Sequence, residues 1–119
     1  MVNVPLLEAG LQAIKDHPEL HEQSSYFAET ECGTAMCYAG WVCHLMGYER
    51  VFPIYSWSSS VHTPDGPRAA GYAAAEALGI SLQTAEVLYH GANTVDQLEQ
   101  MVKDLVNTGD VRERCHYVD

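Results

Sequence analysis

The segment from Cys32 to His44 contains three of the chain's four cysteines, together with Trp41. A thiol near the N-terminus of a helix can act as a nucleophile, because the positive end of the helix dipole stabilises the thiolate. Free cysteine is also among the most buried residue types, where it serves as a small apolar side chain. The segment therefore supports a reactive and a structural interpretation, and the function depends on which of them holds.

A cysteine enzyme is the first reactive interpretation. Cys37 would be the nucleophile, with His44 or His90 as the general base. Along one helix, Cys37 and His44 lie about two turns apart, which is roughly 10 Å by helical rise alone. A nucleophile and its base must lie within hydrogen-bond distance. The base would therefore have to come from another part of the fold.

A metal or redox protein is the second reactive interpretation, with Cys32, Cys37 and Cys43 as its cluster and Cys115 as a remote addition. About 600° of helical rotation separates Cys37 from Cys43, so one helix cannot direct both thiols at one ion. The cysteines also lack the paired Cys-x-x-Cys spacing of zinc sites. Cys32 and Cys37 are close enough in sequence to form a reversible disulfide. This alternative stays open, and no cofactor or metal is predicted.

We expect the cysteine segment to be chiefly structural, with no catalytic residue in it. The glycine after the first cysteine would supply a turn, and the threonine that follows would cap a helix. The second cysteine and the tryptophan would lie in the core, and the small residues before the tryptophan would allow another helix to approach closely. The predicted structural motif is Cys32, Gly33, Thr34, Cys37, Gly40 and Trp41.

Composition and charge exclude several classes of protein. The 119 residues indicate a single domain over residues 1–119, and the 47% of hydrophobic residues argue against intrinsic disorder. The net charge is −10, from 16 acidic against 6 basic residues. Such a chain is repelled by phosphate backbones and by anionic membranes. We therefore expect a protein partner, with no nucleic-acid and no membrane partner.

The chain has no apolar run near the ~18 residues that a membrane span requires. Its first residues lack the basic flank and the long apolar stretch of a signal peptide. We therefore expect a cytoplasmic protein, a compartment in which cysteines are usually reduced thiols.

Apolar residues recur at helical spacing through most of the chain. This pattern predicts an all-α fold, a compact bundle of five or six short helices with one long irregular loop at about 48–66. Prolines 18 and 67 are read as helix starts, and glycines 47, 79 and 109 as helix ends. The predicted helices cover about residues 4–16, 18–23, 35–46, 68–78, 82–89 and 95–108.

The long loop is the candidate partner surface. It contains Phe52, Tyr55 and Trp57 in a stretch without helical periodicity. Exposed aromatic residues are common anchors of protein interfaces, and loops of this length are often functional. Glu49 and Asp65 would form an acidic rim suited to a basic partner.

The cysteine segment forms part of a longer pattern of residues. Its central motif is Cys32-Gly33-Thr34-x-x-Cys37-x-Ala39-Gly40-Trp41. The flanking pieces are His17-Pro18-Glu19 with Gln23 upstream, and Leu78-Gly79 to Asn93-Thr94 with Leu98 downstream. In this order, the pieces resemble a family of small actinobacterial and actinobacteriophage proteins. At His90 this chain departs from the family pattern, in which an acidic residue is expected.

The resemblance implies an actinobacterial or phage origin, and it specifies no activity. Small size, negative charge and the lack of a convincing catalytic constellation favour a non-enzymatic protein-binding module. A phage-encoded protein that acts on a host protein would fit this description. The alternative is a cysteine-based enzyme or a redox or metal protein that uses the Cys32, Cys37 and Cys43 cluster.

Overall fold

Helices and two β-hairpins make up the fold. The computed structural model describes residues 2–23, 26–31, 33–51 and 60–117. Within them, five α-helices span Val4–Asp16 (α1), Tyr38–Leu45 (α2), Ala70–Leu78 (α3), Leu82–Leu88 (α4) and Val95–Thr108 (α5). The antiparallel hairpins pair Ala28–Thr30 (β1) with Gly33–Ala35 (β2), and Ser60–Thr63 (β3) with Gly66–Ala69 (β4). Short 3-10 helices cover Pro18–Leu20 and Arg114–His116.

The predicted all-α fold is wrong, and the first hairpin is one reason. Thr34 lies in β2, where it pairs with Glu29 of β1, and it does not cap a helix. Helix α2 begins at Tyr38 with Cys37 as its N-cap residue. Gly33 has a φ of +125°, a conformation that favours glycine, and its carbonyl accepts a 2.7 Å hydrogen bond from the Thr30 hydroxyl. The bond closes the hairpin between β1 and β2, and α2 starts only after the second strand.

The second hairpin contradicts both the predicted loop at 48–66 and the predicted helix start at Arg68. Pro67 lies in β4, opposite His62 of β3. Proline is tolerated there because an edge strand need not donate every backbone hydrogen bond. Gly66, with a φ of +109°, accepts a 2.8 Å hydrogen bond from the Thr63 hydroxyl, which closes the turn. Helix α3 starts only after the strand.

The helices with long periodic patterns or clear caps are confirmed. Helix α1 has the predicted bounds, and α4 begins at the predicted position, with Ser81 as its N-cap residue. In α5, Thr94 and Gln97 form a capping box, and the predicted helix end, Gly109, has a φ of +81°. The buried face of α5 consists of Leu98, Met101, Val102 and Leu105, which recur at helical spacing.

Helix α2 lies at the centre of the core and packs against α1 and α3. Six of its eight residues are buried. At its first turn, the buried Tyr38 hydroxyl donates a hydrogen bond to the carbonyl of Leu7 in α1. On the α3 side, Cys43 Sγ lies 3.4 Å from the Ala70 carbonyl oxygen. These contacts make α2 the element on which the other parts of the fold are assembled.

Gly40 is the point of closest approach on α2. A Cβ added there would lie 2.2 Å from the carbonyl oxygen of Tyr26 and 2.8 Å from Met36 Cβ. The neighbour at this glycine is therefore the backbone that leads into β1. The sequence predicted instead that another helix would approach here. The Tyr26 ring extends further, so that its hydroxyl reaches Gly71 of α3.

Gly40→Ala should destabilise the protein by about 1–3 kcal/mol or more, because the methyl group would overlap a backbone atom. The sign of the change in unfolding free energy is informative, since Gly→Ala inside a helix normally stabilises by about 0.5–1 kcal/mol. Gly71→Ala is the matched control, because there the nearest atom is the Tyr26 hydroxyl, the far end of a side chain that can swing away. Urea unfolding of the two variants measures the difference. Equal stabilities would contradict the close approach at Gly40.

Candidate functional site

A groove of about 690 Å³ opens beside α2, between the first hairpin and the segment that follows the helix. It is larger than the groove of about 540 Å³ between α1 and α5. Its lining is mostly aromatic and aliphatic, with a few polar groups. We call it the hairpin groove, and its lining residues are Leu20, Phe27, Thr34, Met36, Trp41, His44, Gly47, Tyr48, Glu49 and Arg50.

Backbone hydrogen bonds hold the wall on the β1–β2 side. After β2, the Met36 amide donates to the Leu20 carbonyl at 2.8 Å, and the Glu22 amide donates to the Met36 carbonyl at 3.0 Å. The segment around His21 thus forms a parallel bridge beside β2. Leu20 and Met36 are thereby fixed next to each other in the lining.

The opposite wall follows directly after α2. Gly47, with a φ of +76°, turns the chain away from the helix axis. The following residues pair with β3. The His62 amide donates to the Glu49 carbonyl at 2.7 Å, and the Val51 amide donates to the Ser60 carbonyl at 2.9 Å. This wall carries Tyr48, Glu49 and Arg50 into the lining.

Arg50 joins the two walls, because its guanidinium carbon lies 4.8 Å above the centre of the Phe27 ring. A guanidinium over an aromatic face is a favourable cation–π arrangement. This contact therefore connects the two walls at one side of the groove.

Trp41 is the lining residue with the most ring contacts. The ring of His17 stacks on it at 5.8 Å with an interplanar angle of 8°, and His44 meets it edge-on at 5.6 Å. Its indole N–H donates to the Leu20 carbonyl at 3.2 Å. Only 5% of Trp41 is exposed. The indole therefore links the end of α1, the Pro18–Leu20 turn and α2, and little of it is exposed to the groove.

The thiols that suggested chemistry are buried outside the groove lining. Cys37 is 2% exposed and Cys43 is 0% exposed. Burial raises the pKa of Cys37, and the neighbouring backbone amides of Ala39 and Gly40 offset only part of that effect. Burial, reinforced by Cys37, raises the pKa of Cys43 to about 12. Both thiols therefore stay protonated near neutral pH, a poor state for a nucleophile.

The two predicted bases are engaged elsewhere. His44 lies in the last turn of α2, at the opposite end from Cys37, and contacts Trp41. His90 is exposed, and its Nδ1 accepts a 3.1 Å hydrogen bond from the Ala92 amide. Among the described residues, no group of three or more His, Cys, Asp or Glu side chains could hold a metal ion. Cys32 lies outside them.

Gln23 is a buried polar hub to which the residue pattern gave no role. Its Nε2 donates to the Leu88 carbonyl at 3.1 Å, and its Oε1 accepts from the Tyr38 amide at 3.3 Å. His21 Nε2 lies 2.8 Å from the same oxygen. Gln23 thus ties the end of α4 to the start of α2, next to the segment that lines the groove.

Asn93 is a second buried hub. Its Nδ2 donates to the carbonyls of Val87 at 2.8 Å and Leu88 at 3.1 Å, and its Oδ1 accepts from Arg114 Nε at 2.9 Å. The Leu88 carbonyl therefore accepts hydrogen bonds from both Gln23 and Asn93. Gln23 and Asn93 belong to the flanking pieces of the family resemblance, which was the one signal in the sequence that pointed to them.

The predicted partner surface, Phe52, Tyr55 and Trp57, lies outside the described residues. Among the described residues, the candidate site is therefore the hairpin groove.

In the described ranges, no helix has the length and apolar character that crossing a bilayer requires.

Comparisons of this chain with protein-family models, with curated proteins and with solved structures found no match. Its function must be inferred from its own residues.

Gln23→Met should cost about 1–3 kcal/mol, because the substitution keeps the shape but leaves the buried Tyr38 amide without its acceptor. Gln12→Met is the matched control, since Gln12 is exposed and donates its hydrogen bond to Asp16 of its own helix. Thermal and urea unfolding compare the two variants. A Gln23 variant as stable as the Gln12 variant would show that the hub is dispensable.

The native thiols should differ widely in alkylation rate. Near pH 8, we expect iodoacetamide to modify the exposed Cys115 about 100-fold faster than Cys37 or Cys43, because buried, protonated thiols react slowly. Mass spectrometry of the peptides resolves each site, and urea-unfolded protein, in which the sites should react alike, is the control. Native modification of Cys37 as fast as that of Cys115 would favour the cysteine-enzyme alternative.

Proposed function

We propose that this protein is a non-enzymatic protein-binding module that binds a segment of a partner protein in the hairpin groove. The supporting observation is the groove itself, which has a volume of about 690 Å³. Its apolar lining is contributed by Leu20, Phe27, Met36, Trp41 and Tyr48.

The composition of the lining suits recognition. Binding sites are typically apolar clefts with a small number of polar groups that fix the orientation of the ligand. Here Thr34, His44 and Glu49 provide those groups between aromatic side chains. An apolar side chain of the partner would fill the groove, and the polar groups would orient its backbone.

The walls of the groove are also held in place before binding. Backbone pairing fixes Met36 beside Leu20 on one side and Glu49 beside His62 on the other. The contact of Arg50 with Phe27 connects the two sides. Rigid walls reduce the entropy lost on binding, which favours affinity.

The state of the described thiols supports a non-enzymatic function. Cys37 and Cys43 are buried, and burial raises the pKa of both. A cysteine enzyme requires the opposite, an accessible thiol with a lowered pKa. The small size of the two side chains instead suits the packing of α2 against its neighbours.

The biological setting that we propose follows from the family resemblance. An actinobacterial or phage origin would place the protein in a bacterial cytoplasm. A phage-encoded module would bind a host protein there, and the groove would be the contact surface.

Selection from a random displayed peptide library tests the proposal without assuming a partner. We expect peptides that bind the protein in fluorescence anisotropy and lose about tenfold or more in affinity with Tyr48→Ala, because truncated aromatic anchors typically cost that much. His44→Ala, at an exposed helix position in the groove, should also weaken binding. It serves as the second groove variant if Tyr48→Ala fails to fold.

Tyr72→Ala is the matched control, since Tyr72 is an exposed tyrosine of α3 outside the groove lining. Circular dichroism verifies that the variants are folded. Binders that lose equal affinity with Tyr48→Ala and Tyr72→Ala, or the absence of any binder, would contradict the proposed function.

A further inference from the structure

We infer that the segment bound in the hairpin groove is basic, with an apolar anchor flanked by Lys or Arg. This inference rests on the proposed function and adds the chemistry of the partner. It follows from the distribution of charge around the groove.

The groove is built almost entirely from a stretch of sequence without Lys or Arg. Between Lys15 and Arg50 the chain contains no Lys or Arg. Nine of the ten lining residues come from this stretch, and Arg50 is the tenth. The acidic residues of the stretch are Asp16, Glu19, Glu22, Glu29, Glu31 and Glu49.

One of these carboxylates lines the groove, and two others lie next to a lining residue in the sequence. Glu49 is part of the lining, and its side chain is exposed. Glu22 is exposed and follows the lining residue Leu20 by two positions. Glu19, also exposed, directly precedes Leu20, and its carboxylate lies 3.8 Å from His17 Nδ1. The lining residues and their sequence neighbours therefore carry more carboxylates than Lys or Arg side chains.

Arg50 is the one Lys or Arg side chain among the lining residues. Its guanidinium lies over Phe27 in the wall, and Glu49 is its sequence neighbour in the same lining. The contact also illustrates how the groove holds a cation, on an aromatic face. Tyr48 offers an incoming Lys or Arg a second ring, and Glu49 is its sequence neighbour.

An acidic segment or a second copy of this chain fits less well. An acidic segment would place carboxylates beside the exposed acids of the groove, where like charges repel. Two copies each carry a net charge of −10, which opposes self-association at low salt. A basic segment is the occupant that the charges favour.

Two fluorescein-labelled peptides of about eight residues provide the probe, long enough to span roughly 25 Å when extended. Both contain the same Leu and Phe residues, which alternate with Lys in one peptide and with Glu in the other. In fluorescence anisotropy, the Lys peptide should bind about tenfold or more tightly than its Glu twin. That preference should shrink as salt rises from about 50 to roughly 300 mM, because salt screens exposed charges.

Glu49→Gln should weaken binding of the Lys peptide about three- to tenfold, because it removes the carboxylate of the lining. Glu86→Gln is the matched control, since Glu86 is an exposed acid of α4 outside the groove lining. The two variants have the same net charge. A larger loss with Glu49→Gln therefore reports a local contact, and equal losses would indicate attraction to the whole surface and overturn the inference.

The remaining outcomes separate this inference from the proposed function. Tight binding of the Glu peptide, sensitive to Tyr48→Ala, would overturn the basic partner and leave groove binding intact. If neither peptide binds while library selection yields groove-dependent peptides without Lys or Arg, only the partner chemistry fails. If selection also yields nothing, both fail. A dimer in sedimentation equilibrium that Tyr48→Ala dissociates would identify a second copy as the occupant and overturn the inference.

Discussion

The close approach of the chain to Gly40 determines where the first hairpin lies. The carbonyl oxygen of Tyr26 and Met36 Cβ are the two nearest atoms to the missing Cβ, at 2.2 and 2.8 Å. One of these residues precedes β1 and the other follows β2, so both ends of the hairpin are packed against the same glycine of α2. Any side chain at this position would push the hairpin away from the helix. The wall of the hairpin groove that contains Phe27 and Met36 would move with it.

Buried hydrogen bonds then fix the segment that leads into this hairpin. Trp41 holds the Leu20 carbonyl, Met36 pairs with the same carbonyl, and Gln23 joins the start of α2 to the Leu88 carbonyl at the end of α4. A buried polar group that loses its partner is costly, so these bonds allow one arrangement of the segment and penalise others. The rigidity of the groove is therefore a consequence of packing and of backbone satisfaction around α2.

The sequence predicted the parts of the fold that local signals specify. Helix α5 has a long apolar period and a capping box, and both act within a few residues. The hairpins were missed because their strands are only three or four residues long, and because Thr34 and Pro67 are also typical of helix starts. The groove could not be predicted, since Leu20, Phe27 and Tyr48 come from separate segments and meet only through tertiary pairing. Trp41 was identified as a core residue, but its ring contact with His17 depends on how the Pro18–Leu20 turn docks.

Helix α2 directs some side chains of the cysteine segment into the core and others towards the groove. Its thiols contact the interior, where Cys43 lies against Ala70 of α3, whereas Trp41 and His44 line the groove. Cys37 and Cys43, which suggested chemistry in the sequence, therefore serve to pack the core. The surface of the groove is formed by other side chains of the same helix and its neighbours.

Under the proposed function, charge and apolar surface also have different effects. The acids around the groove act over a Debye length and raise the rate of encounter with a basic segment, whereas the apolar lining acts only on contact and slows its release. An acidic chain with an aromatic groove can in this way combine a preference for basic segments, which comes from charge, with slow release, which comes from apolar contact.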